Sequence, residues 1–214
     1  MKYDLHIHSK YSYDSLMSPE KIIKAAKKKG LDGIAITDHN TIKGGLEALK
    51  VNKDKQFHVI AGAEIKTNFG DIIGLFINEE ITSRRFQDVV DEIRSQGGLS
   101  ILAHPYRQYG YPELLVKEVD LVEGFNARSK GLSNRLSMDL ATKFKKSLTA
   151  GSDAHITFYI GYGVTITCCE IEDALRKGST MIQGIESNYY LAHGSSFISE
   201  KLKAFLWQKM LCMF

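Results

Sequence analysis

The chain has 214 residues, of which 43% are hydrophobic and 25% charged, and its formal net charge is +3. These values are typical of a globular domain with an apolar core, and they exclude a disordered chain or a strongly basic chain that binds duplex nucleic acid. Three cysteines form no disulfide framework, so we expect a reducing, cytoplasmic environment. The absence of an apolar run of 18 residues predicts that there is no transmembrane segment.

The first predicted strand, residues 3–8, carries two histidines one residue apart, His6 and His8. Side chains alternate along a strand, so both imidazoles should point to the same face. Such a pair on a rigid element offers two nitrogen ligands to a divalent transition metal. A polar loop that contains Asp14 follows, and Ser18-Pro19-Glu20 then predicts the start of a helix with Ser18 as its N-cap.

The rest of the chain alternates short apolar runs with amphipathic stretches, which is typical of a parallel α/β fold. Further strands are predicted at 33–37, 58–65, 71–77, 99–103, 121–125, 147–150 and 163–167, and helices near 19–29, 42–49, 85–96, 134–145 and 170–177. The strands at 58–65 and 71–77 are expected to pair as a hairpin across residues 68–70.

Polar residues recur at the carboxyl ends of these predicted strands. They are His6, His8, His39, Glu64, His104, Asp153 and His155. In a barrel of parallel strands, those ends meet at one mouth, whereas an open doubly wound sheet would hardly bring five strand ends to one point. The sequence therefore predicts a barrel rather than an open sheet.

The same residues, together with Asp14 and Asp71, are the predicted metal ligands. Mixed imidazole and carboxylate ligation suits Zn, Mn or Fe, and no thiolate is placed to compete. One ion usually takes about three or four protein ligands. We therefore expect two or three divalent ions per chain, with Glu64 as the bridging carboxylate. Clustered ions of this kind clamp a phosphate and activate a water, which are the requirements of phosphoester hydrolysis.

Three further residues are candidates for a catalytic role beside the metals. Arg107 and Arg128 lie on neighbouring predicted loops, and a guanidinium group matches the oxygens of a phosphate. An ordinary surface ion pair is the alternative for each arginine. Asp38 is predicted to orient His39 or to cap the following helix rather than to bind metal.

Two histidines and two cysteines lie outside the predicted site. His58 and His193 do not follow a predicted strand, so we interpret them as structural or surface residues. Cys168 and Cys169 follow the strand at 163–167, which we take to be the last one, and both are expected to be buried.

Five short motifs connect this chain to a known family. They read Asp4-Leu5-His6-Ile7-His8-Ser9 with Tyr13-Asp14-Ser15, Ile36-Thr37-Asp38-His39-Asn40, Gly62-Ala63-Glu64-Ile65, Ala103-His104-Pro105 and Gly151-Ser152-Asp153-Ala154-His155. From residue 3 to about residue 167, the chain resembles the PHP (polymerase and histidinol phosphatase) family. This resemblance implies a distorted (β/α)7 TIM-like barrel with a trinuclear phosphoesterase site.

The resemblance also implies how the ligands are shared among three metal positions. It assigns His6, His8, Glu64 and Asp153 to the first metal, Glu64 and His104 to the second, and Asp14, His39 and His155 to the third. At the second position many trinuclear members have a histidine where this chain has Asp71, before Ile72-Ile73-Gly74. Either Asp71 ligates through oxygen or the second ion binds weakly.

The end of the chain is predicted to differ from the rest. We divide the sequence into a PHP metal-dependent phosphoesterase domain at 1–182 and a C-terminal extension at 183–214. Residues 185–194 are predicted to be irregular and residues 197–214 helical. A stripe at helical spacing predicts a face buried on the barrel or in a homodimer, with attachment to a membrane surface as the less favoured alternative. This stripe consists of Leu202, Phe205, Leu206, Lys209 and Met213.

The predicted function is metal-dependent hydrolysis of a phosphoester by a metal-activated hydroxide, without a covalent intermediate. A small phosphomonoester or a nucleotide such as a 3′,5′-bisphosphate is the favoured substrate, followed by histidinol phosphate and then by short oligonucleotides or phosphotyrosyl protein. One alternative is a non-catalytic, metal-containing binding module that docks through its C-terminal helix. Another is amidohydrolase chemistry, which usually needs a lysine that bridges two metals, and no lysine is predicted at a strand end.

Overall fold

The structure, a computed structural model, describes residues 1–107 and 111–211. Its strands are β1 (Lys2–Ile7), β2 (Gly33–His39), β3 (His58–Lys66), β4 (Asp71–Leu75), β5 (Leu99–Leu102), β6 (Leu121–Asn126), β7 (Ser147–Gly151), β8 (Gly163–Ile166) and β9 (Met181–Gly184). Its helices are α1 (Pro19–Lys28), α2 (Lys43–Val51), α3 (Phe86–Ser95), α4 (Pro112–Leu115), α5 (Gly131–Phe144), α6 (Ile171–Lys177) and α7 (Tyr189–Leu211). Ser18 caps α1 as predicted, and its Oγ accepts a hydrogen bond from the amide of Lys21 at 3.4 Å.

Among the described residues, nine strands form one sheet in the order β7-β6-β5-β4-β3-β2-β1-β8-β9, which wraps into a nearly closed barrel. The barrel closes between β1 and the residues that follow β7. There the amide of Asp153 donates to the carbonyl of His6 at 2.8 Å, and the amide of His8 donates to the carbonyl of Ala154 at 3.0 Å. The predicted fold class, an α/β TIM-like barrel with a C-terminal helix, is confirmed.

Two antiparallel strands distort the barrel. β4 runs antiparallel to β3 and β5, which is the predicted hairpin, and β8 runs antiparallel to β1 and β9. The connection from β7 to β8 contains only a short 3₁₀ turn at Thr157–Tyr159. Because a parallel return needs a longer crossover that is usually helical, the chain comes back in the opposite direction.

The strand at 163–166 is not the last one, because β9 follows it. β9 reads Met181-Ile182-Gln183-Gly184, which is too short and too polar to show an alternating pattern. The prediction that both cysteines after β8 are buried is also wrong. Cys168 is exposed and Cys169 is only partly buried, because both lie in the turn that leads to α6.

The core lies on both faces of the sheet. Ile34 and Ile36 of β2 belong to a buried cluster with Ile22 of α1, whereas Ala35 between them belongs to a second cluster with Leu5 of β1. This division explains the continuous apolar run of β2, since a strand covered on both faces needs apolar residues at every position.

The last helix differs from its prediction in two respects. It begins at Tyr189, inside the stretch predicted to be irregular, and its buried side consists of small residues: Ala192, Ser196 and Ser199. The predicted apolar stripe is instead exposed, since Leu202, Phe205 and Leu206 are 43%, 50% and 54% exposed. Met213 and the side chain of Lys209 lie outside the part of the chain that is described. Within that part, no helix combines the length and the apolar character needed to cross a membrane.

Candidate metal centre

The nine predicted metal ligands all lie at one end of the barrel. Parallel strands finish there, and the antiparallel strand β4 begins there. The ligands are His6 and His8 at the end of β1, Asp14 in the loop after it, His39 of β2, Glu64 of β3, Asp71 of β4, His104 after β5, and Asp153 and His155 after β7. All but His39 and Asp71 are buried. The sequence motifs are therefore brought together in space.

The two histidines of β1 form the centre of the site. Their Nε2 atoms are 3.0 Å apart. The Nδ1 atom of His6 is 2.8 Å from Oε1 of Glu123, and the Nδ1 atom of His8 is 2.9 Å from Oγ of Ser12. With both Nδ1 hydrogens taken by these acceptors, the two Nε2 atoms turn their lone pairs to the same small space. Facing lone pairs repel, so a shared cation, either a proton or a metal ion, is required between them.

Two carboxylates border the same space. Oε2 of Glu64 is 3.4 Å from Nε2 of His6 and 3.3 Å from Nε2 of His8. Oδ1 of Asp153 is 3.7 Å and 3.3 Å from the same two nitrogens. Two neutral imidazoles with two carboxylates form a donor set that suits a divalent transition metal.

Glu64 also contacts residues outside this first group. Its Oε1 is 2.8 Å from Nε2 of His104, and its Oε2 is 3.0 Å from Nδ1 of His39. Ligand atoms of Glu64, Asp71 and His104 lie within 4.8 Å of one another. The structure thus places Asp71 beside Glu64 and His104, and its assignment as a ligand stays a prediction. Glu64 thus belongs to two of the candidate ligand groups, and its role as the bridging carboxylate stays a prediction.

A third group lies on the side of the loop that follows β1. Oδ2 of Asp14 is 2.8 Å from Nε2 of His155 and 3.5 Å from Nε2 of His39. His8 is close enough to contribute an atom to this group as well. The ring of Tyr13 stacks on His39 with a centroid distance of 4.8 Å and covers the group from the outside.

A cavity of about 240 Å³ opens beside these groups at the barrel mouth. Arg107 and Arg128 line it, and each donates a hydrogen bond to Asp153, at 2.8 Å and 3.5 Å. Arg128 is only 9% exposed, so the alternative of an ordinary surface ion pair does not describe it. Arg107 also binds the side chain of Asn126.

Two further side chains that can donate hydrogen bonds, Lys66 and His193, line the cavity, and the sequence predicted neither of them there. Lys66 is the final residue of β3, so the expectation that no strand ends in a lysine is wrong, although its side chain is exposed. His193 of α7 also lines the cavity, and Nδ1 of its ring is 3.1 Å from Arg128. His58 remains outside the site and bonds to the hydroxyl of Tyr3 at 2.6 Å.

The structure excludes one of the two roles predicted for Asp38, the capping of the following helix. Asp38 does not cap α2, whose N-terminus has no side-chain cap, and it is not among the residues that line the cavity. Its carboxylate accepts hydrogen bonds from Ser9 and from Oγ of Ser12, the latter at 2.9 Å. Because Ser12 in turn contacts Nδ1 of His8 and the amide of His39, Asp38 fixes the orientation of both histidines through this serine.

The family model for the PHP domain matches residues 4–196. The chain belongs to the PHP family. An uncharacterized protein of Methanocaldococcus jannaschii is 42% identical to it in an alignment of 159 positions that covers 67% of this chain and 92% of that protein.

Solved structures share the fold of this PHP domain. A two-domain protein of Bacteroides vulgatus, described as containing a predicted PHP-like metal-dependent phosphoesterase, aligns with a TM-score of 0.71 at 18% identity. The alignment covers 86% of this chain and 65% of that protein, so this chain spans about two thirds of it. An amidohydrolase from Chromobacterium violaceum with bound sulfate aligns with a TM-score of 0.68 at 17% identity, over 85% and 97% of the two chains.

The charge states in this PHP domain are those that bind a cation. Burial lowers the pKa of His8 to about 3, and burial with the nearby Arg128 lowers that of His155, so both rings are neutral at pH 7. Burial works against ionisation of Glu64 and Asp153, but the charge of His6 together with that of His39 for Glu64, and of Arg107 and Arg128 for Asp153, holds the pKa of both carboxyls well below their usual range. Neutral imidazoles and ionised carboxylates are the forms that coordinate metals.

His6 is the exception, and its state follows from its neighbours. Burial alone would lower its pKa, but the charges of Glu123, Asp153 and Glu64 raise it well above the usual value. Without an ion, a proton therefore fills the space between His6 and His8. A metal ion that binds to this PHP domain has to displace that proton, so we expect its affinity to rise with pH.

Glu123 is the functional residue of this PHP domain that the sequence motifs do not include. It binds Nδ1 of His6, accepts the amide of His104 at 2.9 Å and accepts a hydrogen bond from Asn126 at 3.1 Å. The amide contact holds His104 in a left-handed conformation with φ of 27°, which a non-glycine residue adopts only under constraint. Gly151 lets the backbone of β7 approach His6 closely, because a Cβ atom at position 151 would lie only 2.2 Å from Cβ of His6.

Glu123→Gln is expected to weaken metal binding by about 10- to 100-fold, because the amide can no longer fix the tautomer of His6 as a carboxylate does. The measurement is a competition titration of Zn or Mn against a chromophoric chelator. Glu118→Gln, at an exposed glutamate away from the site, is the matched control. Equal affinities for Glu123→Gln and the wild type would show that Glu123 has no part in orienting His6.

Proposed function

We propose that this chain is a metal-dependent phosphoesterase that acts on a small phosphomonoester or on a nucleotide such as a 3′,5′-bisphosphate. One observation carries the proposal: the cavity at the barrel mouth is lined by candidate metal ligands such as Glu64 and His104 and also by the guanidinium groups of Arg107 and Arg128. Metal ligands beside paired arginines suit a substrate whose reacting group is a phosphate.

The size and charge of the cavity favour a small anion. Its volume of about 240 Å³ is below the roughly 300–1,000 Å³ of pockets that bind drug-sized ligands. Lys66 adds a third cation at the rim. These features support a phosphate with a compact leaving group, and they argue against duplex nucleic acid as a substrate.

Bound divalent ions would lower the pKa of a water and polarise the phosphoryl oxygens. The side chains of the protein would position the phosphate. Asp153 pairs with both Arg107 and Arg128 and so holds the two guanidinium groups at the same cavity. The buried Nε of Arg128 has no acceptor among the described residues. Oδ1 of Asn126 accepts a further hydrogen bond from Arg107.

The test is hydrolysis of p-nitrophenyl phosphate and bis-p-nitrophenyl phosphate with added Mn, together with the metal content by mass spectrometry. We expect turnover of the monoester and two or three ions per chain in the wild type. His8→Ala should reduce the turnover at least about a hundredfold, roughly 3 kcal/mol of barrier, because it removes a ligand shared by two groups. His58→Gln replaces a histidine outside the site and is the control. Bound metal without turnover of either ester would reject the proposal.

A second candidate function, a metal-containing binding module that docks through α7, is favoured by the exposed side chains of that helix. Phe197, Ile198 and Trp207 are 59%, 67% and 62% exposed, and a homodimer would cover part of this exposed apolar surface. Light scattering of the wild type and of Trp207→Ser measures the dimer. A monomer in both cases, together with ester turnover, would leave no support for this candidate.

A further inference from the structure

Helix α7 contacts the barrel mouth on two sides. His193, near the start of the helix, meets Arg128 at 3.1 Å. Further along, the ammonium group of Lys203 donates hydrogen bonds to the carbonyls of Lys10, at 2.6 Å, and of Ser12. The two contacts are roughly 15 Å apart at a rise of about 1.5 Å per residue, so the helix spans the site from the loop after β6 to the loop after β1.

The hydrogen bond to Arg128 determines the tautomer of His193. A guanidinium group has only donors, so Nδ1 of His193 must accept and the hydrogen of the neutral ring must lie on Nε2. That Nε2 atom is buried and has no acceptor in the part of the chain that the structure describes. A buried donor without an acceptor is unfavourable, and native structures usually satisfy such a group.

The position of the ring indicates where the missing acceptor comes from. His193 lines the same cavity as Arg107 and Arg128. Arg128 also keeps an unpartnered, buried Nε. Two buried donors from different elements thus lack acceptors beside one cavity. An anion with several oxygens would satisfy both.

We propose that His193 is a substrate-binding residue, whose Nε2–H donates to a non-bridging oxygen of a phosphate while Nδ1 holds Arg128 in place. This inference rests on the proposed function and names a further residue of the same site. The C-terminal helix then forms part of the active site rather than an appendage to the barrel. The metals do not depend on this contact, because His193 belongs to none of the candidate metal groups.

The alternative is that the contact only anchors α7 to the barrel. Two substitutions distinguish the possibilities. His193→Gln keeps a side chain that can accept from Arg128 and donate to a phosphate. His193→Phe keeps a ring of similar shape and removes both hydrogen bonds. Tyr190→Ala, on the same helix at a residue that is 84% exposed, is the matched control.

The experiment measures binding of inorganic phosphate to the Mn-loaded proteins by calorimetry, together with the metal content and the kinetics on p-nitrophenyl phosphate. For His193→Phe we expect the phosphate dissociation constant and KM to rise about tenfold, the loss of roughly one hydrogen bond to a charged group, while the metal content stays unchanged. His193→Gln should recover most of the affinity, and Tyr190→Ala should match the wild type.

Unchanged phosphate affinity and KM in His193→Phe, with only a lower melting temperature, would show that the residue merely anchors the helix. Phosphate binding that depends on His193 in a wild type that hydrolyses no ester would support this inference and reject the phosphoesterase. A wild type that binds metal but no phosphate would overturn both.

Discussion

Glu64→Gln is expected to lower phosphoester turnover by about a thousandfold or more, which corresponds to roughly 4 kcal/mol of barrier, and to remove at least one ion per chain. The reason is its position, because its two oxygens contact His6, His8, His39 and His104. An amide keeps the shape of the side chain, but it loses the charge and one of the two acceptor oxygens. Steady-state kinetics and metal analysis on the same samples provide the measurement.

The control for this prediction is Glu118→Gln, which removes a carboxylate from the surface and should leave turnover and metal content unchanged. Circular dichroism establishes that Glu64→Gln folds. A folded Glu64→Gln variant with wild-type metal content and turnover would contradict the view that Glu64 links the three groups of ligands.

Chelation of the metals is expected to lower the melting temperature by about 10 °C. An ion that binds only the native state at a thousand times its dissociation constant stabilises that state by about 4 kcal/mol. For a chain of this size, each kcal/mol corresponds to about 2–4 °C. The structure gives the physical reason, since the buried carboxylates of Asp14, Glu64 and Asp153 face one another across imidazole rings. Calorimetric scans with EDTA and with saturating Mn or Zn measure the difference.

The comparison variant is His8→Ala, in which the same addition of metal should raise the melting temperature by much less. His58→Gln should respond like the wild type, because His58 lies outside the ligand groups. A melting temperature that is the same with EDTA and with metal, in a protein that is saturated by mass spectrometry, would show that the metals contribute nothing to stability.

The parallel part of the barrel could be predicted because each of its strands, turns and helices depends on residues that are close together in the sequence. A buried strand, a turn and an amphipathic helix each leave a pattern within about ten residues, and the polar residue that ends each strand then points to the mouth. β9 and the direction of β8 could not be predicted in this way. β9 is too short for a pattern, and the direction of β8 depends on the missing helix between it and β7.

The candidate site shows the same division between local and distant information. His-x-His and Asp-x-His are visible as motifs, and the structure brings these residues together. The sequence indicated Glu123 only weakly, as an acidic residue inside an otherwise largely apolar strand. Its contact with His6 becomes visible only in the folded structure. His193 had none, because its role depends on where α7 lies, and the small residues that bring this helix close to the barrel form no apolar stripe.

The closure between β1 and the residues after β7 has a consequence for the order of events during synthesis. Asp4 accepts the amide of Ser152 at 2.9 Å across 148 positions of sequence, and Asp153 and His155 follow directly. β1, β2 and β3 lie within the first 66 residues, so His6, His8, His39 and Glu64 are synthesised long before the last ligands. Non-local closure of this kind is slow. The complete set of candidate ligands is therefore assembled only when the barrel closes, and we expect metal binding to be a late event in folding.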